Sequence, residues 1–464
     1  MNNKFGKDLT EGSIPRNLIK FALPILVGNI LTTGYSIINA VWVGKLLGGN
    51  AVGAVAVSFP VFLAMMALAS GTTMATSILV SQHYGAKDYN AIQKIVNVSW
   101  FLGGLVVIMV TVLGLIFSDS ILGLLGTPTE ILSLASSYLK ISLAGFVFMY
   151  LSFLIVSILR GIGDTMTPMA FIVISTGINA ALDPLLIMGI GPFPHLGLNG
   201  AAVASLSASI FTTVGGLAYV LRKYKGLPIN PTAFVFDKTI AMSILKIGLP
   251  SFAQQMILSF SYAFITSFVN MFGADAIAAF GIASRIDSIV AMPAMAIMIG
   301  AATLTAQSLG AGKPEKIKSI FRWGIVVNIP VTLLISLTCI MVPEAIMRIF
   351  VNNAAVIEIG VGYFRIVGFA YLFFIVTYVS NGIINGSGKT IITMLISFTS
   401  LCIMRIPITM ILVKTSLGLK GVWTAAIFST ALTTTISLLY YFSGRWNKSV
   451  IKEKEIVNGE LITD

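Results

Sequence analysis

SQHYGAKDYNAIQKIV (residues 81–96) lies over AQSLGAGKPEKIKSIF (306–321) at a shift of 225, so that Gln82, Gly85 and Ala86 meet Gln307, Gly310 and Ala311. The same shift lays SYLKIS from Ser137 over GYFRIV from Gly362, and RGIGDT (160–165) over NGSGKT (385–390). With small slips, ALP (22–24) meets GLP (248–250), and GLNGAAVAS (197–205) meets GLKGVWTAA (418–426). One half of the chain is a copy of the other.

Composition says what the copies are made of. The 464 residues are 56% hydrophobic and only 10% charged, with a mean hydropathy of +0.95, whereas soluble domains are about 25% charged. This is the composition of an integral membrane protein. Twelve apolar stretches, the first at 18–42 and the last at 421–443, are each long enough to cross a hydrocarbon layer about 30 Å thick as a helix. The shift spans six of them, an even number, so both halves enter the membrane in the same direction. The expected fold is an all-α integral membrane protein of twelve transmembrane helices, built as two parallel six-helix repeats around a central cavity. Transport sites commonly lie between such repeats.

The expected organisation is a cytoplasmic tail at 1–17, an N-lobe at 18–221, a cytoplasmic connector at 222–243, a C-lobe at 244–443 and a cytoplasmic tail at 444–464. The first apolar segment is longer than a signal-peptide core and is read as a retained span. Most of the 29 Lys and Arg fall on the side that holds the N-terminus, among them Lys7, Arg16, Arg222, Lys223, Lys313, Lys316 and Arg445. The positive-inside rule then puts both termini in the cytoplasm of a multi-pass plasma-membrane protein. The net charge of +12 is accounted for by this topology and by anionic lipid, with no nucleic-acid partner. The two cysteines, Cys339 and Cys402, fall inside spans and indicate neither a disulfide framework nor a metal site.

One charge stands out. INAALDPLL (178–186) places Asp183 in an otherwise uncharged span and follows it with Pro184. A carboxylate at the centre of a spanning helix costs about 2.5–3.5 kcal/mol on insertion scales, so such a group is a functional-site candidate by default. Asn179 precedes it by one helical turn on the same face. On the first span Tyr35 and Asn39 share a face at spacing four and lie at a similar depth. These four residues supply oxygens for a hard cation with one formal negative charge, and a proton can serve the same carboxylate. The choice between Na+ and H+, and a purely packing role for Asp183, stay open at this point. No other cofactor or metal is expected.

Prolines recur in the two halves, Pro24 with Pro250 and, two residues out of register, Pro184 with Pro407. A helix proline removes a backbone hydrogen bond and kinks the helix, and the recurrence makes these four candidate hinges. Asp287, in ASRIDSIV, is the second acid well inside a span; two residues from Arg285 it does not face that residue, and Arg405 is one candidate partner for a structural pair, with a substrate role as the alternative. Tyr35, Gln255 and Asp287 are candidate substrate-cavity residues. NGSGKT is not a phosphate loop, because GxxxxGK[ST] needs a glycine at position 383, which is Ile383. His83 and His195 have no metal or triad spacing, and no nucleophile is paired with a base, so an enzyme is not expected.

The pieces IPRNLIKFALPILVGNI, YSIINAVWVGKLLG (35–48), GAKDYNAIQKIV, LRGIGDTMTP, LDPLLI and FGADAIAAFGIASRI together resemble the multidrug and toxic compound extrusion (MATE) transporters, over roughly residues 12–445. That resemblance implies two lobes, alternating access, and export of amphipathic, often cationic organic compounds driven by inward Na+ or H+ flow; the chain itself is expected to be a monomer. It is closer to the DinF-type branch, in which an acid usually occupies the position of Asn39 beside the acid matched by Asp183. The NorM-type branch has a helix-seven acid near Gln254 and Gln255. Within the superfamily the alternative is a flippase for lipids or lipid-linked saccharides, which would call for more basic cavity residues than Arg285 and Arg405. Loss of the acid at position 39 also leaves open a membrane sensor without transport activity.

Overall fold

The computed structural model describes residues 6–224, 236–447, 450, 456–457 and 460–461. The middle of the expected connector and most of the tail beyond residue 447 lie outside the described residues, as do the first five residues. The chain is helical almost throughout: α1 (Ile14–Leu47), α2 (Gly49–Gly85), α3 (Tyr89–Leu124), α4 (Thr129–Gly161), α5 (Met166–Met188), α6 (Leu198–Lys223), α7 (Lys238–Asn270), α8 (Ala274–Gly310) and α9 (Lys316–Met341). They are followed by α10 (Pro343–Arg348), α11 (Ala354–Val367), α12 (Ala370–Gly386), α13 (Thr390–Ser397), a π-helical segment (Phe398–Arg405), α14 (Ile406–Leu412) and α15 (Leu419–Phe442). Two short strands, β1 (Ile456–Val457) and β2 (Glu460–Leu461), pair antiparallel.

Among the described residues eleven helical stretches are long and apolar enough to span a membrane, and α11 with α12 forms one further span bent by 50°. Ile116, Leu334 and Leu439 are each about two-thirds exposed. Faces of this kind would aggregate in water; in lipid they are solvated.

The sequence suggests a single span at 362–385. The helix instead breaks after Val367, and its first arm begins at Ala354, where the Asn353 side chain caps it by accepting from the Ala355 and Val356 N–H groups. At the break the Gly368 carbonyl accepts from Ser336 Oγ at 2.7 Å, so a neighbouring hydroxyl satisfies a backbone acceptor beside the bend.

The repeat is visible in backbone geometry. After α2 the N–H groups of Ala86, Lys87 and Asp88 donate to the carbonyls of Gln82, Tyr84 and His83; after α8 those of Ala311, Gly312 and Lys313 donate to Gln307, Leu309 and Ser308. Both turns pass through a left-handed residue, Lys87 at φ 58° and Gly312 at φ 66°. At Gly85 a Cβ would overlap the Gln307 carbonyl, and at Gly310 it would overlap the Gln82 carbonyl. The two copies of the motif therefore meet backbone to backbone, which only glycine permits.

The chain forms two compact units. One comprises residues 1–6, 23–77 and 93–256; the other comprises 7–22, 78–92 and 257–464. In the first, α4 and α5 both pack on α6, around the fully buried Phe146, Leu143 and Tyr150 of α4. In the second, Phe280 of α8 stacks on Trp423 of α15 with ring centroids 5.6 Å apart, and Tyr363 meets Trp423 edge-on at 4.8 Å. That aromatic cluster fixes α8, α11 and α15 to one another.

Pro24, Pro184 and Pro250 lie inside α1, α5 and α7, while Pro407 follows the π-helical segment at the start of α14. Pro407 has no N–H to offer the carbonyl one α-turn back, and the wider π register just before it is a local adjustment of the kind that spanning helices make at proline.

Candidate functional site

In the first unit Asp183 is fully buried, five residues from the end of α5, which Gly189 closes in the left-handed conformation at φ 69°. Its Oδ2 accepts from the Tyr35 hydroxyl at 2.6 Å and from Asn39 Nδ2 at 2.6 Å, and Asn39 Nδ2 also lies 3.1 Å from the Tyr35 oxygen. The spacing of four on α1 delivers both donors to one carboxylate oxygen. The other oxygen, Oδ1, is buried and has no hydrogen-bond partner.

Asn179 does not join this set by a direct bond. Its Nδ2 donates to Ser205 Oγ of α6 at 3.3 Å, and its own Oδ1 is buried and unpartnered. Two unsatisfied acceptor oxygens thus sit one turn apart on α5. A buried acceptor left unmade costs about 1–3 kcal/mol, and more when it is charged. An added proton or a hard cation is the simplest group that would satisfy Asp183 Oδ1, and oxygen donors of this kind fit Na+.

The second unit contains another acid, and its surroundings differ from the candidate ion pair with Arg405. Asp287 of α8 accepts from the Tyr363 hydroxyl of α11 through Oδ2 and from the Tyr371 hydroxyl of α12 through Oδ1, the latter at 2.5 Å. Arg405 makes no ion pair with it within 4.0 Å, although it is close enough for the charges to act on each other. Each carboxylate oxygen already accepts from one hydroxyl, which stabilises the acid without a direct ion pair. The two tyrosines were missed by sequence reasoning because they lie 76 and 84 residues from Asp287. The repeat offered one signal, since Tyr363 matches Tyr138 at the 225-residue shift. Gln255 is half-buried on α7.

A duplicated all-helical fold of about a dozen membrane spans, with an acid inside a span in each unit, is the architecture of a membrane transporter. The MatE family model matches the chain twice, at residues 24–185 and again at 250–411, an interval close to the internal shift. The chain belongs to the MatE family. It is 30% identical over 447 residues to the probable multidrug resistance protein YoeA of Bacillus subtilis, covering 95% of this chain and 96% of that one. It is 26% identical over 376 residues to the multidrug export protein MepA of Staphylococcus aureus, covering 80% and 81%. Among solved structures, the outward-facing conformation of a multidrug resistance MATE transporter superposes with a TM-score of 0.88 at 24% identity, over 96% of this chain and 98% of that one. The fold is accordingly the two-lobed MATE fold, and multidrug efflux is the activity its relatives carry.

Proposed function

We propose that the protein is a monomeric secondary active exporter in the plasma membrane, with both termini cytoplasmic, that moves amphipathic, often cationic organic compounds outward in exchange for Na+ or H+ taken up at Asp183. One observation carries this reading: a fully buried carboxylate with two donors on one oxygen and none on the other. A cation arriving at Oδ1 removes an uncompensated buried charge, and it can drive a conformational change only by favouring one state over the other. Pro184, immediately after Asp183, and Pro24 in α1 are the positions where the helices carrying the site can bend in response.

The chain sits nearer the DinF-type branch, with Asn39 standing where that branch has an acid. As an amide donor, Asn39 holds Asp183 by a hydrogen bond rather than sharing a cation with it, so the site takes one positive charge.

The test is efflux of a fluorescent organic cation from proteoliposomes under separately imposed Na+ and H+ gradients. One gradient should drive efflux by the parent protein, and Asp183→Asn should abolish that dependence. Equal pumping by the variant under both gradients would overturn the role of Asp183, and no efflux by the parent under either would count against the pump.

A further inference from the structure

Gln82 and Gln307, the glutamines on which the internal repeat is read, are fully buried and take no part in the coupling site. Both lie in the second unit, and both are used in one way. Gln307 Oε1 accepts the Leu9 N–H at 3.0 Å, and Gln82 Oε1 accepts the Val450 N–H at 3.0 Å. Each matched glutamine thus holds a backbone amide from outside the spans, one before the first and one after the last.

The N-terminal side is the more fully built. Leu9 and Thr10 are buried. Asn17 Nδ2 donates to the Leu9 and Glu11 carbonyls at 3.2 and 2.7 Å, and the Lys316 ammonium donates to the Thr10 carbonyl. The Thr10 N–H and hydroxyl both donate to Asp8 Oδ1, at 2.8 and 2.7 Å. A solvated tail leaves such groups to water; here the carbonyls of Leu9, Thr10 and Glu11 all have partners within the protein. The segment is a strap. What holds it is largely polar, and one neutral hydrogen bond exchanges for bonds to water at a net cost of a factor of about five, so the strap can be released.

The helix that follows ties the strap to the exchange. Residues 14–22 of α1 belong to the second unit and those from Leu23 onward to the first. The first-unit part carries Tyr35 and Asn39, the two donors on Asp183 Oδ2. A cation at Asp183 draws on the same carboxylate as these donors, and any displacement of theirs is a displacement of α1, whose other end the strap holds.

We propose that Gln307 is a positioning residue for cation exchange: through the Leu9 amide it latches the strap 8–13 on the second unit, and occupancy of Asp183 by a cation favours the released strap. This rests on the exporter reading, for which it supplies an element whose two states the cation distinguishes. Linkage makes the effect reciprocal. If a cation loosens the strap, loosening the strap tightens cation binding, which a contact serving only to pack the segment would not do.

The test uses the purified full-length protein as parent, Gln307→Leu, Leu9→Pro and Asp183→Asn. Leu9→Pro removes the donor N–H and leaves Gln307 in place. Deuterium exchange of the peptide 7–13, read by mass spectrometry at fixed pH and corrected for intrinsic rates, reports the strap; equilibrium titration with Na+ and with protons reports the site. Gln307→Leu and Leu9→Pro should each exchange about fivefold faster than the parent and bind the coupling cation about fivefold tighter, the factor of one neutral hydrogen bond. Asp183→Asn, neutral as the occupied site is, should also exchange faster. Exchange unmoved in Leu9→Pro overturns the latch, and so does faster exchange with cation affinity unmoved. If Gln307→Leu does not fold, Leu9→Pro decides alone. Absence of cation binding by the parent counts instead against the exporter reading; the link from strap to acid then stands if Asp183→Asn exchanges faster and falls if it does not.

Discussion

Two acids within spans, Asp183 fully buried in one unit and Asp287 partly buried in the other, meet opposite fates. Asp183 receives both of its donors on a single oxygen and leaves the other bare; Asp287 receives one tyrosine hydroxyl on each oxygen. A carboxylate with a fixed donor on each oxygen is stabilised as it stands, and gains less from a visiting cation. A carboxylate with a bare buried oxygen is stabilised most when something arrives. On the proposed reading, the number and placement of donors are what set Asp183 apart as the exchanging group. The helices that match across the repeat differ in the same sense: α5 carries Asp183 just before Pro184, and its counterpart carries Arg405 two residues before Pro407. Duplication supplied one kinked scaffold, and the two copies hold charges of opposite sign.

The sharpest way to break this contrast is to neutralise each acid in turn. Asp183→Asn should lower ion-driven efflux by about 100-fold or more, as loss of the sole buried charge at the site implies. Asp287→Asn should lower it by less than about tenfold, acting through the affinity for the transported compound. Initial rates in proteoliposomes decide, and equal losses would dissolve the distinction.

Asn39→Asp sharpens the same comparison from the other side. A second carboxylate would replace an amide that now sits 2.6 Å from Asp183 Oδ2, and two like charges that close cannot both stay ionised without a shared cation or proton. The variant should bind one cation more than the parent, with about tenfold tighter apparent affinity for the coupling ion, as read by equilibrium ion titration.

Stability should run opposite to transport. Asp287→Asn weakens two charge-assisted hydrogen bonds and should destabilise the protein by about 2–4 kcal/mol, whereas Asp183→Asn removes an uncompensated charge and should leave stability unchanged or raised. Thermal unfolding in detergent measures both, and a larger loss at Asp183 would contradict the assignment.

The smallest effect belongs to the duplicated turn. Lys87 occupies a left-handed position at φ 58° where the other copy has Gly312. Lys87→Gly should therefore stabilise by about 1 kcal/mol and Gly312→Ala destabilise by a similar amount. Paired unfolding curves would show it.

Self-similarity and hydropathy made the duplicated membrane fold legible, because both depend on long runs of sequence and survive local error. The pairing of Tyr35 and Asn39 with Asp183 was within reach as well, since a spacing of four on a helix names two side chains on one face. The bend between α11 and α12 was not, because it involves a Ser336 hydroxyl 32 residues away. Nor was the tyrosine clamp on Asp287, whose partners stand on two different helices. The π-helical register just before Pro407 was equally hidden; Pro407 signalled a disturbance, and its form depends on neighbouring helices. Asn179 shows the limit of periodicity, for it shares a face with Asp183 yet gives its amide to Ser205.

The most direct test of the contrast between the two acids is cation binding by the purified protein without any transported compound, followed as radioactive Na+ bound or as protons taken up, in the parent, Asp183→Asn and Asp287→Asn. The parent and Asp287→Asn should bind about one cation per chain and Asp183→Asn none, in keeping with the unsatisfied Oδ1 of Asp183. Binding kept by Asp183→Asn and lost by Asp287→Asn would contradict the account.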